Sequence, residues 1–553
     1  MMQSIKSLLK LAMVVFPAVA TAQSSYIMPG SKDEILLDRL EIKSRLDGLN
    51  VSYIKPYNSK LVTEQVVLAD SLDKAQNRIS TRLTPVDRYN ISRFLQNHFE
   101  WVPNNDSKGK RFNLVEINKP NFFLVVNPAL NYQQGFESFD DQSIFLRSAG
   151  ISSRGMIGKR LGFSLYLTGN QEATPYYVRQ FTQQFHAVPG NTLLSYKDKY
   201  VQYFDVRASL QWKVTRFMDM QFGHDRNFLG NGERSLLLSG FSGNMMFFKI
   251  NTRLWKFNFE NLYMKLIPQF GIVNNQANKY LRVNTLSFNA AKWLNIGIFD
   301  AVAFGREKQF ELTYLQPFTF LRALEQQNGS PDNALLGLNV KANIKGNVQV
   351  YGQLLLDEFK LSEIKDNKGW WANKYGFQLG AKYIDAFNIK NLDVQAEINR
   401  TRPFTYTHYD SVSNYSNANQ PLAHQLGAGF QEYLAIVRYQ PLNKLYLQAK
   451  FMYYYQGLDS AGQHMGSNIL TDYRNRAKDA NGQIRNYGWN IGSGDKATCV
   501  YFNANASYEV WENLFLDAGF TLRNFKTELG YKQNTTMFNI GFRWNMARRE
   551  FDF

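Results

Sequence analysis

The stretch from Asn534 to the terminal Phe553 places Phe538, Ile540, Phe542, Trp544 and Met546 on one face and Asn539, Gly541, Arg543 and Asn545 on the other. That two-residue period belongs to a strand with lipid on one side and water on the other. A soluble core has no use for such a strand, so it is expected to close a membrane barrel. The terminal aromatic resembles the signal by which the barrel-assembly machinery recognises its clients.

The N-terminus agrees with that destination. Lys6 and Lys10 form a basic region, Leu11 to Ala18 a short apolar run, and Ala20-Thr21-Ala22 a small-residue cleavage site. The apolar run is well short of the roughly 20 residues a spanning helix needs, so residues 1–22 read as a signal peptide and the mature chain as starting near Gln23. No cysteine lies near the cut, so lipoprotein modification is not expected. The mean hydropathy of −0.37 is no objection, because only alternate barrel residues face lipid. Aromatic residues make up 15% of the chain, with 31 Tyr and 42 Phe, as two interfacial girdles require.

The net charge of +17 falls to +15 once Lys6 and Lys10 are removed with the signal. The excess is spread along the chain without an arginine-rich run, which argues for anionic surroundings such as lipopolysaccharide phosphates or an acidic polysaccharide, and not for nucleic acid. The single cysteine, Cys499, excludes an intramolecular disulfide and reads as an inert strand residue.

Residues 23–118 follow a helical pattern. Ser31 with Glu34 is a capping box ahead of Ile35, Leu36, Leu37 and Leu40, and Thr84-Pro85 with Asp87 is a second helix start. With a helix from Thr63 to Leu72, they are expected to form a small periplasmic domain or a plug under the barrel mouth, with Asn104 to Lys110 as linker. Residues 119–553 are expected to form the barrel. Leu392, Val394, Ala396 and Ile398 alternate with Asp393, Gln395, Glu397 and Asn399, and Leu514, Leu516, Ala518, Phe520 and Leu522 alternate with polar partners. Tight connections (Val214–Phe217, Lys292–Leu294, Glu512–Asn513) alternate with long polar ones (Gly169–Lys199, Gly305–Asn333, Thr401–Gln425), as periplasmic turns and extracellular loops do. The fold class is therefore mainly β, a transmembrane antiparallel barrel of about 18 strands with a small N-terminal helical periplasmic domain.

Two clusters could carry binding. His224, Asp225, Arg226 and Glu233 flank Gly230-Asn231-Gly232 where a strand runs into an external turn; they could line the lumen and bind a sugar or an acidic group, or form only a solvated turn. Glu325, Asp332, Asn333 and Asp357 lie near Trp370, Trp371 and Tyr375. Carboxylates and amides beside flat aromatic faces suit carbohydrate, although the tryptophans could equally belong to a girdle. No Gly-x-Ser-x-Gly or His-Glu-x-x-His sequence occurs and the six histidines are scattered, so no enzymatic activity, metal or cofactor is expected.

Leu36-Leu37-Asp38-Arg39-Leu40-Glu41-Ile42 with Lys55-Pro56-Tyr57, Phe222-Gly223 through Gly230-Asn231-Gly232 into Ser235-Leu236-Leu237-Leu238-Ser239, and Glu325 through Asp332-Asn333 resemble the Wzi-like capsule assembly proteins, which overlap with gliding-motility-associated proteins. The resemblance implies an outer-membrane barrel with a periplasmic helical bundle that holds exported polysaccharide at the cell surface. A substrate-specific porin, or an accessory protein of gliding motility or adhesion, are the alternatives.

Overall fold

The computed structural model describes residues 27, 30–50, 53–76, 79, 81–103, 113–140, 142–158, 160–191, 195–197, 199–269, 278–306, 311–317, 319–329 and 332–553. The expected signal peptide and the linker at 104–110 lie outside them.

Eighteen antiparallel strands close into one barrel. The first six are β1 (Phe122–Glu137), β2 (Gln142–Ile157), β3 (Leu161–Ala173), β4 (Val201–Lys213), β5 (Met218–Asp225) and β6 (Met245–Leu254). The next six are β7 (Phe257–Leu266), β8 (Asn278–Ala291), β9 (Leu294–Arg306), β10 (Asn333–Ile344), β11 (Val348–Glu358) and β12 (Lys374–Tyr383). The last six are β13 (Leu392–Thr401), β14 (Phe430–Leu442), β15 (Leu445–Leu458), β16 (Asp495–Trp511), β17 (Leu514–Thr527) and β18 (Lys532–Trp544). β18 closes the cylinder on β1 through pairs from Met537↔Glu137 to Trp544↔Leu130. The short strand Val115–Lys119 continues the same edge of β1, so sheet pairing begins a few residues before position 119.

The alternation has the expected outcome. On β17 and β18, Leu516 (53% exposed), Phe538 (57%) and Ile540 (68%) point outward, while Asp517, Thr521 and Arg523 are buried inside. Apolar side chains this exposed on strand after strand form a band that water does not tolerate and acyl chains do.

Helices α1 (Lys32–Ser44), α2 (Ser59–Lys74) and α3 (Pro85–Asn97) pack around Leu36, Leu40, Val66, Ile91 and Phe94. Their starts follow the sequence signals. Thr84 and Asp87 make a reciprocal capping box with Pro85 in the first turn; at α1 only half of the expected box forms, Ser31 accepting the Glu34 amide at 3.4 Å while the Glu34 carboxylate takes the Gly30 amide at 2.7 Å instead of that of Ser31. α2 begins at Ser59, four residues before the expected Thr63, because Asn58 caps it by accepting the Leu61 amide at 3.1 Å. The bundle docks on the barrel end that carries the tight turns. Arg39 and Lys43 bind Asp385 in the β12–β13 turn at 3.0 and 2.6 Å, and Lys32 binds Glu509 and Glu512 beside the β16–β17 turn at 2.5 and 2.6 Å.

The closing strand is shorter than its sequence pattern suggests. It ends at Trp544, where Asn545 takes a left-handed conformation (φ 52°) and donates to the Asn513 carbonyl at 3.0 Å. The last residues turn into the barrel. Phe553 therefore does not end an outward strand; its ring packs against Tyr177, at 5.6 Å, and Phe181, at 5.3 Å, and one of its carboxylate oxygens accepts from Arg523 at 2.8 Å.

Candidate functional site

Among the described residues, three segments that leave the wall fill much of the lumen: residues 226–244 after β5, residues 402–429 after β13, and the C-terminal tail; residues 174–191 after β3 pack against all three, through Arg226 and Gly190, Gln420 and Asn191, and Tyr177 and Phe551. The first two are the external connections of the sequence reading, and they run inward. Leu236, Leu237 and Leu238 are fully buried, held by a turn in which the Ser235 hydroxyl accepts the Leu237 and Leu238 amides at 3.1 and 3.2 Å. Gly232 lies so close to the wall that a Cβ there would sit 2.3 Å from Glu397 Oε2. This approach lets the Glu233 and Arg234 amides donate to the Glu397 carboxylate at 2.9 and 3.1 Å. From the second segment, Tyr406 and Tyr415 donate their hydroxyls to the Leu236 and Leu237 carbonyls at 2.8 and 2.7 Å.

Charge locks the three segments together. Arg234 bridges Glu432 on β14, at 3.3 Å, and Asp552 of the tail, at 3.1 Å. Lys450 on β15 gathers Glu233 (2.9 Å), Glu550 (2.8 Å) and Asp552 (2.8 Å). His424 of the second segment meets Glu432 at 2.9 Å. Between this network and the helical bundle lies a chamber of about 510 Å³, lined by ten basic and six acidic side chains. Among the described residues no group of three His, Cys, Asp or Glu converges as a metal site needs.

The residues proposed from sequence do not form one site. His224 shares the outer face of β5 with the exposed Phe222 and pairs with the exposed Met246. It does not line the lumen, because adjacent strand residues face opposite ways. Asp225 and Arg226 face inward. Asp225 accepts the Arg226 amide at 2.8 Å, and Arg226 braces the Gly190 carbonyl at 2.9 Å and Asn244 at 3.2 Å. Glu233 belongs to the luminal network.

Glu325, Asp332, Asn333 and Asp357 anchor loops. Asp332 holds Arg306 at 2.8 Å and the Tyr314 hydroxyl at 2.7 Å, Asn333 donates to the Tyr406 carbonyl at 3.3 Å, and Asp357 accepts the Tyr406 amide at 2.7 Å. Glu325 pairs with Arg322 of its own helical turn at 3.1 Å.

Trp370 and Trp371 form the nucleus of a different surface, at the barrel end opposite the bundle. The β11–β12 and β15–β16 loops zip together there: the Trp371 amide donates to the Asn486 carbonyl at 3.0 Å and the Trp489 amide to the Gly369 carbonyl at 2.9 Å. Gly369 has φ +66° and no room for a Cβ, which would meet the Trp489 backbone at 2.8 Å. Trp371 lies against Tyr473 at 4.7 Å under the Arg476 guanidinium at 4.1 Å. Tyr409 and Tyr487 are exposed alongside, with Arg474, Lys360 and Lys368 at the rim. Sequence reasoning missed Tyr473 and Arg476, which lie about a hundred residues from Trp371 and carry no local motif.

No family model matches the chain, and no curated protein matches it in sequence. Among solved structures, OprD of Pseudomonas aeruginosa aligns with 76% of this chain and 94% of its own length at a TM-score of 0.41 and 9% identity. OccAB2 of Acinetobacter baumannii aligns with 76% and 98% at 0.40 and 9%. Wzi of Escherichia coli, described as an outer-membrane protein involved in group 1 capsule assembly and a carbohydrate-binding β-barrel, aligns with 95% of this chain and all of its own at a TM-score of 0.56 and 13% identity, a likeness of fold that takes in both bundle and barrel.

Proposed function

We propose that the protein is a non-enzymatic outer-membrane barrel that binds surface polysaccharide through the loop surface around Trp370, Trp371 and Tyr473, with the long loops outside the cell and the helical bundle in the periplasm. The observation that carries this reading is the filled lumen. Three inward segments tied by buried ion pairs occupy the lumen, where a porin needs a continuous path. Binding then falls to the rim, where flat aromatic faces meet arginines and lysines, a chemistry suited to the apolar faces and acidic substituents of sugars. Many weak contacts along a polymer add up through effective concentration. The carbohydrate binding described for Wzi, whose fold this chain shares, supports the same reading.

Two measurements test it. The full chain in planar bilayers is expected to give no steady conductance, whereas a steady open pore would establish the porin alternative. On a glycan array the detergent-solubilised protein is expected to retain acidic polysaccharides, and Trp370→Ala with Trp371→Ala to weaken binding about tenfold, since each ring removes a stacking face. Absence of any retained glycan would remove the polysaccharide reading.

A further inference from the structure

The outer face of β16–β18 grades from apolar to cationic along the strands. Leu516 pairs with Phe542 near the tight-turn end, Ala518 with Ile540, and Phe520 with Phe538, whose rings lie 4.8 Å apart. Above them come Leu522 opposite Thr536, Asn524 opposite Asn534 and finally Lys526 opposite Lys532. From Leu516 to Lys526 the strand rises about 33 Å along its own axis. At a tilt of 35–45° that is about 25 Å along the barrel axis, the height of the apolar band of such barrels. The amides and lysines therefore stand at the headgroup level.

Like charges directly opposite each other on neighbouring strands are destabilising, yet Lys526 and Lys532 occupy such a pair, both exposed. Lys496 adds a third ammonium one step beyond Thr498, which itself pairs with Lys526; it sits 5.3 Å from the Tyr455 ring. Arg400 faces outward on the same register row, through Gln431, Tyr455 and Thr498. A cluster of cations over an apolar wall, with amides between, is complementary to an amphiphile that carries several anionic groups above its acyl chains.

We propose that this face binds a phosphorylated, multiply acylated glycolipid of the outer leaflet, its phosphates between Lys526, Lys532 and Lys496 and its acyl chains along Phe520, Phe538 and Ile540. The proposal takes from the reading above only that the long loops face the cell exterior. The test uses the full chain in detergent and native mass spectrometry, with bisphosphorylated hexa-acyl lipid A, the same lipid dephosphorylated, and phosphatidylethanolamine as probes.

Lipid A is expected to be retained over both other lipids. Lys526→Gln with Lys532→Gln should lower retention about tenfold, Lys526→Arg with Lys532→Arg should keep it, and Lys345→Gln at the opposite barrel end should leave it unchanged. Equal retention of the dephosphorylated lipid, or full retention by the Gln pair, would overturn the assignment. Glycan binding by the Gln pair is expected to stay intact, so loss of one reading leaves the other standing.

Discussion

Arg234→Gln is expected to release the C-terminal tail and to destabilise the luminal plug by about 3–5 kcal/mol, the usual consequence of removing one partner from a buried charge network. Arg234 donates to Glu432 on the wall and to both the side chain and the carbonyl of Asp552. Without it, Glu432, which is fully buried, keeps only His424 and the Asn399 amide, at 2.9 Å each. Asp552 keeps Gln425, which donates to its carbonyl at 2.7 Å, and Lys450, itself shared with Glu233 and Glu550. Carboxypeptidase digestion from Phe553 reads the outcome directly: the native tail is expected to resist, and the variant to lose its terminal residues. Adding Glu432→Gln should restore part of the resistance, because the second change removes the charge the first one orphaned. A variant tail as resistant as the native one would mean that the remaining contacts, Lys450 and Gln425 on Asp552, Arg549 on Glu172 and the Arg523 clamp on Phe553, hold the tail without Arg234.

The wall of the barrel was legible in the sequence, and the plug was not. Alternation such as Leu516-Asp517-Ala518 is a local signal with one structural meaning, and the count of about 18 strands follows from it. Residues 226–244 and 402–429 gave no comparable signal. A polar lumen accepts the same glycine-rich, amide-rich sequence that bulk water accepts, so an inward loop and an external loop read alike. The run Leu236-Leu237-Leu238 was the one available hint, since three consecutive leucines in a loop need cover.

The tail misled for a related reason. Met546 and Asn545 extend the strand alternation, but the left-handed turn at Asn545 ends the pairing. The polar density of residues 224–226 allows a luminal reading for His224 as well as a solvated turn, but strand parity sends His224 and Asp225 apart, and Phe222, apolar and two residues away, marks the face His224 shares.

At the opposite end of the molecule, Asp87→Asn is expected to loosen the helical bundle by about 3 kcal/mol or more. The Asp87 carboxylate is 1% exposed and serves three groups at once: Arg39 at 2.9 Å, Lys43 at 2.6 Å, and the Thr84 amide at 2.9 Å that starts α3. Arg39 in turn binds Asp385 and Asp393 on the barrel, so one carboxylate couples the helix cap to the docking contact.

Burial pushes the Asp87 carboxyl up, but the Arg39 and Lys43 charges outweigh it and hold it well below the ordinary carboxylate range. Asp38 follows the same balance: burial raises it, and Lys382, 2.6 Å away, with Lys55 brings it down to about 2. Both groups have folded values below their unfolded ones, so their contribution is complete above about pH 4 and is lost as the pH falls toward about 2. Hydrogen exchange of the α1–α3 amides, corrected for the intrinsic rate, is expected to show about a hundredfold lower protection in Asp87→Asn at pH 7. The native protein should lose protection in the same helices below about pH 4 while β1–β18 stay protected. Helix protection that is flat down to pH 2 would instead assign the docking to apolar contacts, with the ion pairs as bystanders.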